Sequence, residues 1–183
     1  MRAVSRQHKP TWGPCATGVG RSARLRPVGD EAASRTRMAT SDDAEAIAGI
    51  YNQGIAERIA TFETEPRSAA DIARQLAEKG DRFPTVVVER DGCIVAWAGA
   101  GPYRSRPAYA GVAEHSVYVD RAARGTGAGR LALDALAAAY RERGFWKLCS
   151  RIFPENAASI TLHARAGFRV VGVYRRHGKL GDE

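Results

Sequence analysis

The segment with the clearest chemical potential is a glycine-rich turn at residues 124–130, which reads RGTGAGR. An apolar run at 112–119 precedes it and an amphipathic pattern follows from Ala128, so the turn is predicted to join a strand to a helix. At such a junction the free N–H groups of the first helical turn and the helix dipole favour an anion. The alternating glycines would let a pyrophosphate approach the backbone, and the flanking arginines add positive charge.

This turn fits neither of the two common nucleotide-binding motifs. No Lys-Ser or Lys-Thr pair follows the glycines, as a P-loop requires, and no acidic residue about twenty positions further on indicates a dinucleotide site. From the residues alone, a solvated turn with two arginines remains the alternative interpretation.

Two titratable side chains could move protons. Glu114 lies within the apolar pattern at 112–119, and His163 lies within a helical pattern at 157–166. Each also has an ordinary explanation, because a lone Glu in a strand commonly faces solvent and an isolated His on a helix is more often structural than catalytic. The residue types alone leave both roles open.

The pattern around these residues predicts a mixed α/β domain built on one sheet. Predicted strands lie at 34–38, 85–89, 93–98, 112–119, 147–153 and 168–174, and predicted helices at 44–51, 68–80, 128–143 and 157–166. Ser68 and Asp71 form a capping-box pattern, and Asp91-Gly92 predicts a hairpin turn. The second half, strand–loop–helix–strand, should place its loop at the carboxyl edge of the sheet.

Length and charge predict one domain, at 34–183, behind a basic leading segment. Residues 1–33 hold six basic and two acidic residues, half of the net charge of +8 on the 183-residue chain. They lack apolar periodicity, so we expect a disordered N-terminal extension. No apolar run approaches the roughly 18 residues of a membrane helix, and no secretory signal is visible, so we expect a cytoplasmic protein. The three cysteines are far apart and not clustered with histidines, so no metal site is expected.

Several motifs together resemble one known family. Residues 124–129 match the R/Q-x-x-G-x-G/A acetyl-CoA signature of the GNAT superfamily of N-acetyltransferases. The segments 49–66, 99–119 and 156–168 resemble phosphinothricin N-acetyltransferases and relatives that act on glutamate analogues. The resemblance covers about 34–180 and implies the GNAT fold, a mixed and mostly antiparallel central sheet flanked by helices, with acetyl-CoA as co-substrate.

The resemblance also implies which residues bind the cofactor. In this family the strand before the loop separates from its neighbour and holds the pantetheine arm, while the loop holds the pyrophosphate. Carried onto this sequence, the cofactor-binding residues are Val117, Tyr118, Val119, Arg124, Gly125, Thr126, Gly127, Ala128, Gly129, Arg130 and Asn156. From sequence alone, Asn156 is nearly as well explained as a helix N-cap.

Catalytic residues follow from the same resemblance. Residues 114–119, EHSVYV, match the family segment E-S-T-V-Y-V, whose Glu is the proposed base, which here is Glu114. His163 stands where phosphinothricin-type enzymes have a His near the thiol as general acid. His115 departs from the usual Ser. If His115 faced the pocket, it would take part in proton transfer. If strand alternation turned it away, it would be a surface or core residue.

The implied function is acetyl-CoA-dependent N-acetylation of the α-amino group of a small glutamate analogue, a detoxification or resistance activity. Arg104 and Arg106 would bind the side-chain oxyanion, and Phe62 would line the pocket. Methionine sulfoximine or sulfone is an alternative acceptor. A basic nucleic-acid-binding module is an alternative of another class, disfavoured because the positive excess lies in 1–33 and no helix-turn-helix or OB pattern is present. No membrane partner is expected, and a homodimer is one of the expected states.

The end of the sequence departs from the family pattern. The family continues past residues 178–180 with a tryptophan-containing turn and a final strand, and this strand is expected to be missing here. Its absence would expose unpaired backbone groups on its neighbour. A partner could cover them, a rearrangement could close the gap, or the enzyme could be weakened.

Overall fold

The structure, a computed structural model, describes residues 33–179. The predicted disordered extension at 1–33 therefore lies almost wholly outside the described residues. The strands are β1 (Arg35–Met38), β2 (Thr85–Arg90), β3 (Cys93–Pro102), β4 (Val112–Val119) and β5 (Lys147–Cys149). The helices are α1 (Ala44–Glu57), α2 (Ala69–Lys79), α3 (Ala128–Glu142) and α4 (Ala157–Arg165). Short 3₁₀ turns occupy Ser41–Asp43, Pro107–Tyr109 and Arg121–Ala123.

The five strands form one sheet in the order β1-β2-β3-β4-β5. The first four pair antiparallel, and β5 alone runs parallel to its neighbour β4. Asp91 and Gly92 have φ values of 52° and 80°, as the tight turn between β2 and β3 requires. The predicted mixed, mostly antiparallel sheet flanked by helices is confirmed.

Consecutive residues of the central strands are buried, because successive side chains point to opposite faces of the sheet and helices cover both faces. On one face, Val87, Trp97 and Tyr118 pack with α1. On the opposite face, Ala98 and Ala113 belong to a cluster that includes α3. This alternation fixes which residues of β4 point toward each layer.

Two capping arrangements fix where the first helices begin. The Asp43 carboxylate accepts two 2.7 Å hydrogen bonds from Arg37 and one of 2.8 Å from the N–H of Thr40, which ties β1 to the start of α1. At α2 the Ser68 hydroxyl accepts from the N–H of Asp71 at 3.1 Å, so the predicted capping box is confirmed.

The last two predicted strands differ from the structure. The strand predicted at 147–153 ends at Cys149, and the prediction of a strand at 168–174 was wrong. The side chains of Val170, Val171, Val173 and Tyr174 are 66–79% exposed. An alternating apolar pattern becomes a strand only beside another strand that completes its hydrogen bonds, and none of the described residues provides one.

Within 33–179, no helix is long and apolar enough to cross a membrane.

Candidate active site

A cleft opens where β4 and β5 separate. The two strands pair over three positions only, and Glu114 opposite Cys149 is the last pair. Beyond it β4 stays paired to β3, but its other edge has no strand partner in the part of the chain that the structure describes. Val117 and Tyr118 line one side of the cleft and Ile152 and Phe153 the other. The free backbone groups along this edge can bind an extended polar ligand.

The glycine-rich turn stands at the end of β4 and leads into α3. Gly125 and Gly127 have φ values of 78° and 87°, and a Cβ atom at either position would meet open space. Gly129 has a different role, because a Cβ there would lie 3.0 Å from Val119 and 3.1 Å from Leu162. The first two glycines therefore leave an open surface at the start of α3 that can accommodate an anion, and the third lets the helix pack closely.

Both arginines of this turn have partners within the protein. Arg124 donates to Glu57 of α1 at 3.0 Å. Arg130 donates to Asp134 and to the carbonyl oxygen of Arg165, each at 2.6 Å. These contacts offset part of the positive charge that the sequence suggests for the turn. The backbone N–H groups at the very start of α3, which precede the first intrahelical hydrogen bond at Arg130, are then the donors that can meet an anion here.

Asn156 caps α4 at the edge of the cleft. Its side-chain oxygen accepts from the N–H of Ser159 at 3.0 Å, and its amide nitrogen donates to the carbonyl oxygen of Ile59 at 3.1 Å. The structure thus shows the N-cap role that the sequence allowed, at a position that also lines the cleft.

Glu114 stands at the point where the strands separate. Its carboxylate accepts hydrogen bonds of 2.6 and 3.1 Å from Arg151, which follows β5. Glu114 pairs with Gly101 of β3, and a Cβ at Gly101 would meet nothing within 4 Å. A half-buried carboxylate thus borders open space and can accept a proton there. The sequence did not identify Arg151, since only the parallel pairing of β4 and β5 brings it to Glu114.

Strand alternation turns His115 away from the face of Glu114. His115 is 1% exposed and its Nε2 lies 3.0 Å from Nε2 of His163, which is 5% exposed. The two rings are stacked with centroids 5.2 Å apart, and the ring of Phe168 lies 5.0 Å from that of His115. His115 is therefore a buried partner of the predicted general acid.

The hydrogen bonds of the pair determine its tautomers. Nδ1 of His163 lies 2.7 Å from the carbonyl oxygen of Ser159, which can only accept, so this nitrogen carries the proton. Nε2 of His163 then accepts from the Nε2–H of His115, whose Nδ1 is buried without a partner among the described residues. Burial, with the charge of His163, lowers the pKa of His115 from 6.5 to about 4, and burial lowers the pKa of His163.

The predicted substrate-binding residues fall in two places. Arg104 and Arg106 line an open cavity of about 460 Å³ together with Tyr103 and Tyr109. Phe62 is 51% exposed and packs edge-on against Phe153 of the cleft, with ring centroids 4.6 Å apart. The aromatic residue is thus at the cleft, and the two arginines line a cavity of their own.

No group of three or more potential metal ligands occurs in the described part of the chain.

Comparison with known proteins identifies the relatives of this arrangement. The profile of the acetyltransferase (GNAT) family matches residues 51–168. The chain is 33% identical over 149 residues to the phosphinothricin N-acetyltransferase of Streptomyces coelicolor, covering 79% of this chain and 87% of the relative. It is 37% identical over 139 residues to the L-methionine sulfoximine/L-methionine sulfone acetyltransferase of Salmonella typhimurium, covering 73% and 79%.

A solved structure shares both the fold and the sequence. The crystal structure of a GNAT superfamily phosphinothricin acetyltransferase from Sinorhizobium meliloti in complex with acetyl-CoA aligns with a TM-score of 0.72 at 30% identity. The alignment covers 80% of this chain and 83% of that one. The separated strands and the open glycine turn of the present chain fit a ligand that carries an extended arm and a pyrophosphate, as acetyl-CoA does.

Proposed function

The chain belongs to the acetyltransferase (GNAT) family and is an acetyl-CoA-dependent N-acetyltransferase, and we propose that its acceptor is a small glutamate-like amino acid such as phosphinothricin. The acetyl group goes to the α-amino group, and the role of the reaction is detoxification or resistance in the cytoplasm. The observation that carries this proposal is the position of Glu114, a carboxylate beside open space where the two strands separate.

The proposed cofactor site follows the free edge of β4. Val117, Tyr118 and Val119 would hold the pantetheine arm, and residues 124–130 would hold the pyrophosphate on the first turn of α3. Asn156 would add a contact at the edge of the cleft, although its amide already caps α4. Bound acetyl-CoA supplies a thioester carbonyl group that an amine can attack.

Glu114 is the proposed base. An amino acid arrives with its amine protonated, and a protonated amine is not nucleophilic, so one proton must first leave. The Glu114 carboxylate can take that proton directly or through a water. Its two hydrogen bonds from Arg151 hold the carboxylate in a fixed orientation.

His163 is the proposed general acid, and His115 is part of its machinery. His163 lines the cleft, and its Nε2 is occupied by the Nε2–H of His115. When the amine attacks the thioester, coenzyme A leaves as a thiolate that must take up a proton. We infer that the His115–His163 pair, and not His163 alone, supplies this proton. The substitution His163→Asn would keep a polar side chain at the cleft, but the amide group cannot transfer a proton to the thiolate.

Arg104 and Arg106 are the proposed contacts for the side-chain anion of the acceptor. Both guanidinium groups lie at an open cavity, and arginine forks match phosphinate and carboxylate oxygens. Phe62, packed on Phe153, would cover the apolar part of the acceptor.

Methionine sulfoximine or methionine sulfone is the second candidate acceptor. The chain's similarity to an enzyme of that name is as high as its similarity to phosphinothricin acetyltransferases. These compounds share the amino-acid head group with phosphinothricin and differ in the side chain.

The test is acetyl-CoA consumption with a panel of acceptors. Phosphinothricin, methionine sulfoximine and methionine sulfone are compared with polyamines and with peptide N-termini. The proposal expects the highest kcat/KM for an amino acid from the first group. A preference for polyamines or peptides would contradict the proposed acceptor class and leave the N-acetyltransferase activity intact.

A further inference from the structure

A side-chain-free notch lies beside Glu114 on the face of the sheet that α1 covers. After Trp97, the next residues of β3 on this face are Gly99 and Gly101, because alternate residues of a strand share a face. Gly101 pairs with Glu114, and the space above it is open. The acceptor's amine can therefore approach the Glu114 carboxylate over Gly101.

Two polar side chains converge on the neighbouring position, Gly99. If residue 99 carried a Cβ, that atom would lie 2.8 Å from Oγ1 of Thr85 and 3.4 Å from Nζ of Lys79. Lys79 is the last residue of α2, and Thr85 is the first residue of β2 and pairs with Gly99. Two residues of a strand span about 6.6 Å. The position where Lys79 and Thr85 converge, beside Gly99, therefore lies roughly 6.6 Å along β3 from the open space at Gly101.

Neither converging group has a side-chain or backbone partner within the described part of the chain. Thr85 is 5% exposed, and its hydroxyl has no hydrogen-bond partner among the residues that the structure describes. The side-chain amine of Lys79 makes no hydrogen bond or ion pair with any residue in 33–179, and burial lowers its pKa. A desolvated cation without a counter-charge and a buried hydroxyl without a partner are both costly. An anionic ligand group would satisfy both.

We propose that Lys79 and Thr85 bind the α-carboxylate of the amino-acid acceptor while its amine faces Glu114. This subsite rests on the proposed function and deepens it. The amine and the carboxylate of such an acceptor are attached to one carbon atom, so an amine at Glu114 keeps the carboxylate close to this end of the notch. Arg104 and Arg106 are then available to bind the side chain of the acceptor. Lys79, by binding the carboxylate, makes the enzyme prefer an amino acid over a simple amine.

The test compares an amino acid with its decarboxylated counterpart. Methionine sulfone has an uncharged side chain, so its carboxylate is its only anion, and 3-(methylsulfonyl)propylamine lacks that carboxylate. Lys79→Met should lower kcat/KM for methionine sulfone by about ten- to a hundred-fold, mainly through KM, because a charge-assisted hydrogen bond is lost. For 3-(methylsulfonyl)propylamine, kcat/KM of the same variant should stay within about two-fold of the wild-type value. Thr85→Val should show the same selectivity with a smaller loss.

Three controls separate a binding role from a structural one. Lys147→Met removes an exposed lysine of β5 and should leave kcat/KM unchanged for both acceptors. Lys79→Arg should restore part of the lost kcat/KM. Because Lys79 is desolvated and unpaired, Lys79→Met should not lower the Tm.

The outcomes separate the subsite from the proposed function. Equal losses on both acceptors, or no loss on methionine sulfone, would overturn the subsite while the wild-type activity stands. A wild-type enzyme that acetylates no amino acid of the panel would overturn the proposed function, and the subsite with it. If Lys79→Met does not fold, Lys79→Gln and Thr85→Val carry the same comparison.

Discussion

The Nε2 atoms of His115 and His163 lie 3.0 Å apart, although the two residues are 48 positions apart in the sequence. One belongs to β4 and the other to α4, and both are buried. Because Nδ1 of His163 donates to the carbonyl oxygen of Ser159, the contact has one consistent arrangement of protons. His115 donates and His163 accepts.

The first prediction tests this arrangement directly. In the ¹⁵N NMR spectrum at pH 7, His163 should be the neutral Nδ1–H tautomer and His115 the neutral Nε2–H tautomer. His115→Leu removes the donor and should lower kcat by about ten-fold or more with the KM for acetyl-CoA unchanged. His115→Gln keeps an N–H group and should recover part of the loss. The opposite tautomers, or full activity in His115→Leu, would exclude a shared proton.

The second prediction concerns stability in acid. Burial keeps the pKa of His115 near 4 in the folded protein, against 6.5 for an unperturbed His. Between these values the unfolded chain binds more protons than the folded one, so stability is complete above about pH 6.5 and falls as the pH drops toward about 4. Urea unfolding at pH 7 and pH 5 should show a larger loss for the wild type than for His115→Leu. Equal losses would mean that His115 already titrates normally in the fold.

The third prediction concerns the glycine turn. Gly127→Val places a side chain on the open surface at the start of α3 and should raise the KM for acetyl-CoA by about ten-fold or more. Gly144→Val is the matched control, since Gly144 also has a positive φ (79°) with open space around it but lies at the other end of α3. Both variants should lose about 1–2 kcal/mol of stability. If both raise the KM equally, the turn does not bind the cofactor.

The fourth prediction concerns the base. Glu114→Gln preserves shape and should lower kcat by about 10²-fold while acetyl-CoA binding is retained. Glu142→Gln changes an exposed Glu at the end of α3 and should leave kcat unaltered. Steady-state rates from about pH 6 to about pH 9 cover the titration range of amines and histidine. Near-normal turnover of Glu114→Gln across that range would assign Glu114 to an ion pair with Arg151 and nothing more.

The fifth prediction concerns the side chain of the acceptor. Arg106→Ala should lower kcat/KM for phosphinothricin by about ten- to a hundred-fold and barely change that for methionine sulfone, whose side chain has no charge. Arg141→Ala, on the exposed surface of α3, controls for lost positive charge. Equal losses on both acceptors would indicate that Arg106 only supports its loop.

The sequence determined the features that depend on neighbouring residues. The hairpin at Asp91-Gly92, the capping box from Ser68 and the turn at 124–130 each result from backbone and side-chain preferences within a few positions. The resemblance carried by local motifs also predicted the family, the fold and the co-substrate. Such features are accessible because the interactions that decide them are present in the segment itself.

Tertiary structure decided whatever depends on which segments meet. The pattern at 168–174 is that of a strand, yet no described strand lies beside it, and a strand is completed only by the hydrogen bonds of its neighbour. Strand alternation places Glu114 and His115 on opposite faces, but only packing brings Arg151 to one and His163 to the other. The side chains of Lys79 and Thr85 both approach the position of Gly99, where a Cβ atom would lie 3.4 Å from Nζ of Lys79 and 2.8 Å from Oγ1 of Thr85. Periodicity gives the direction of a side chain, whereas the partner at its tip is set by chain segments far away in sequence.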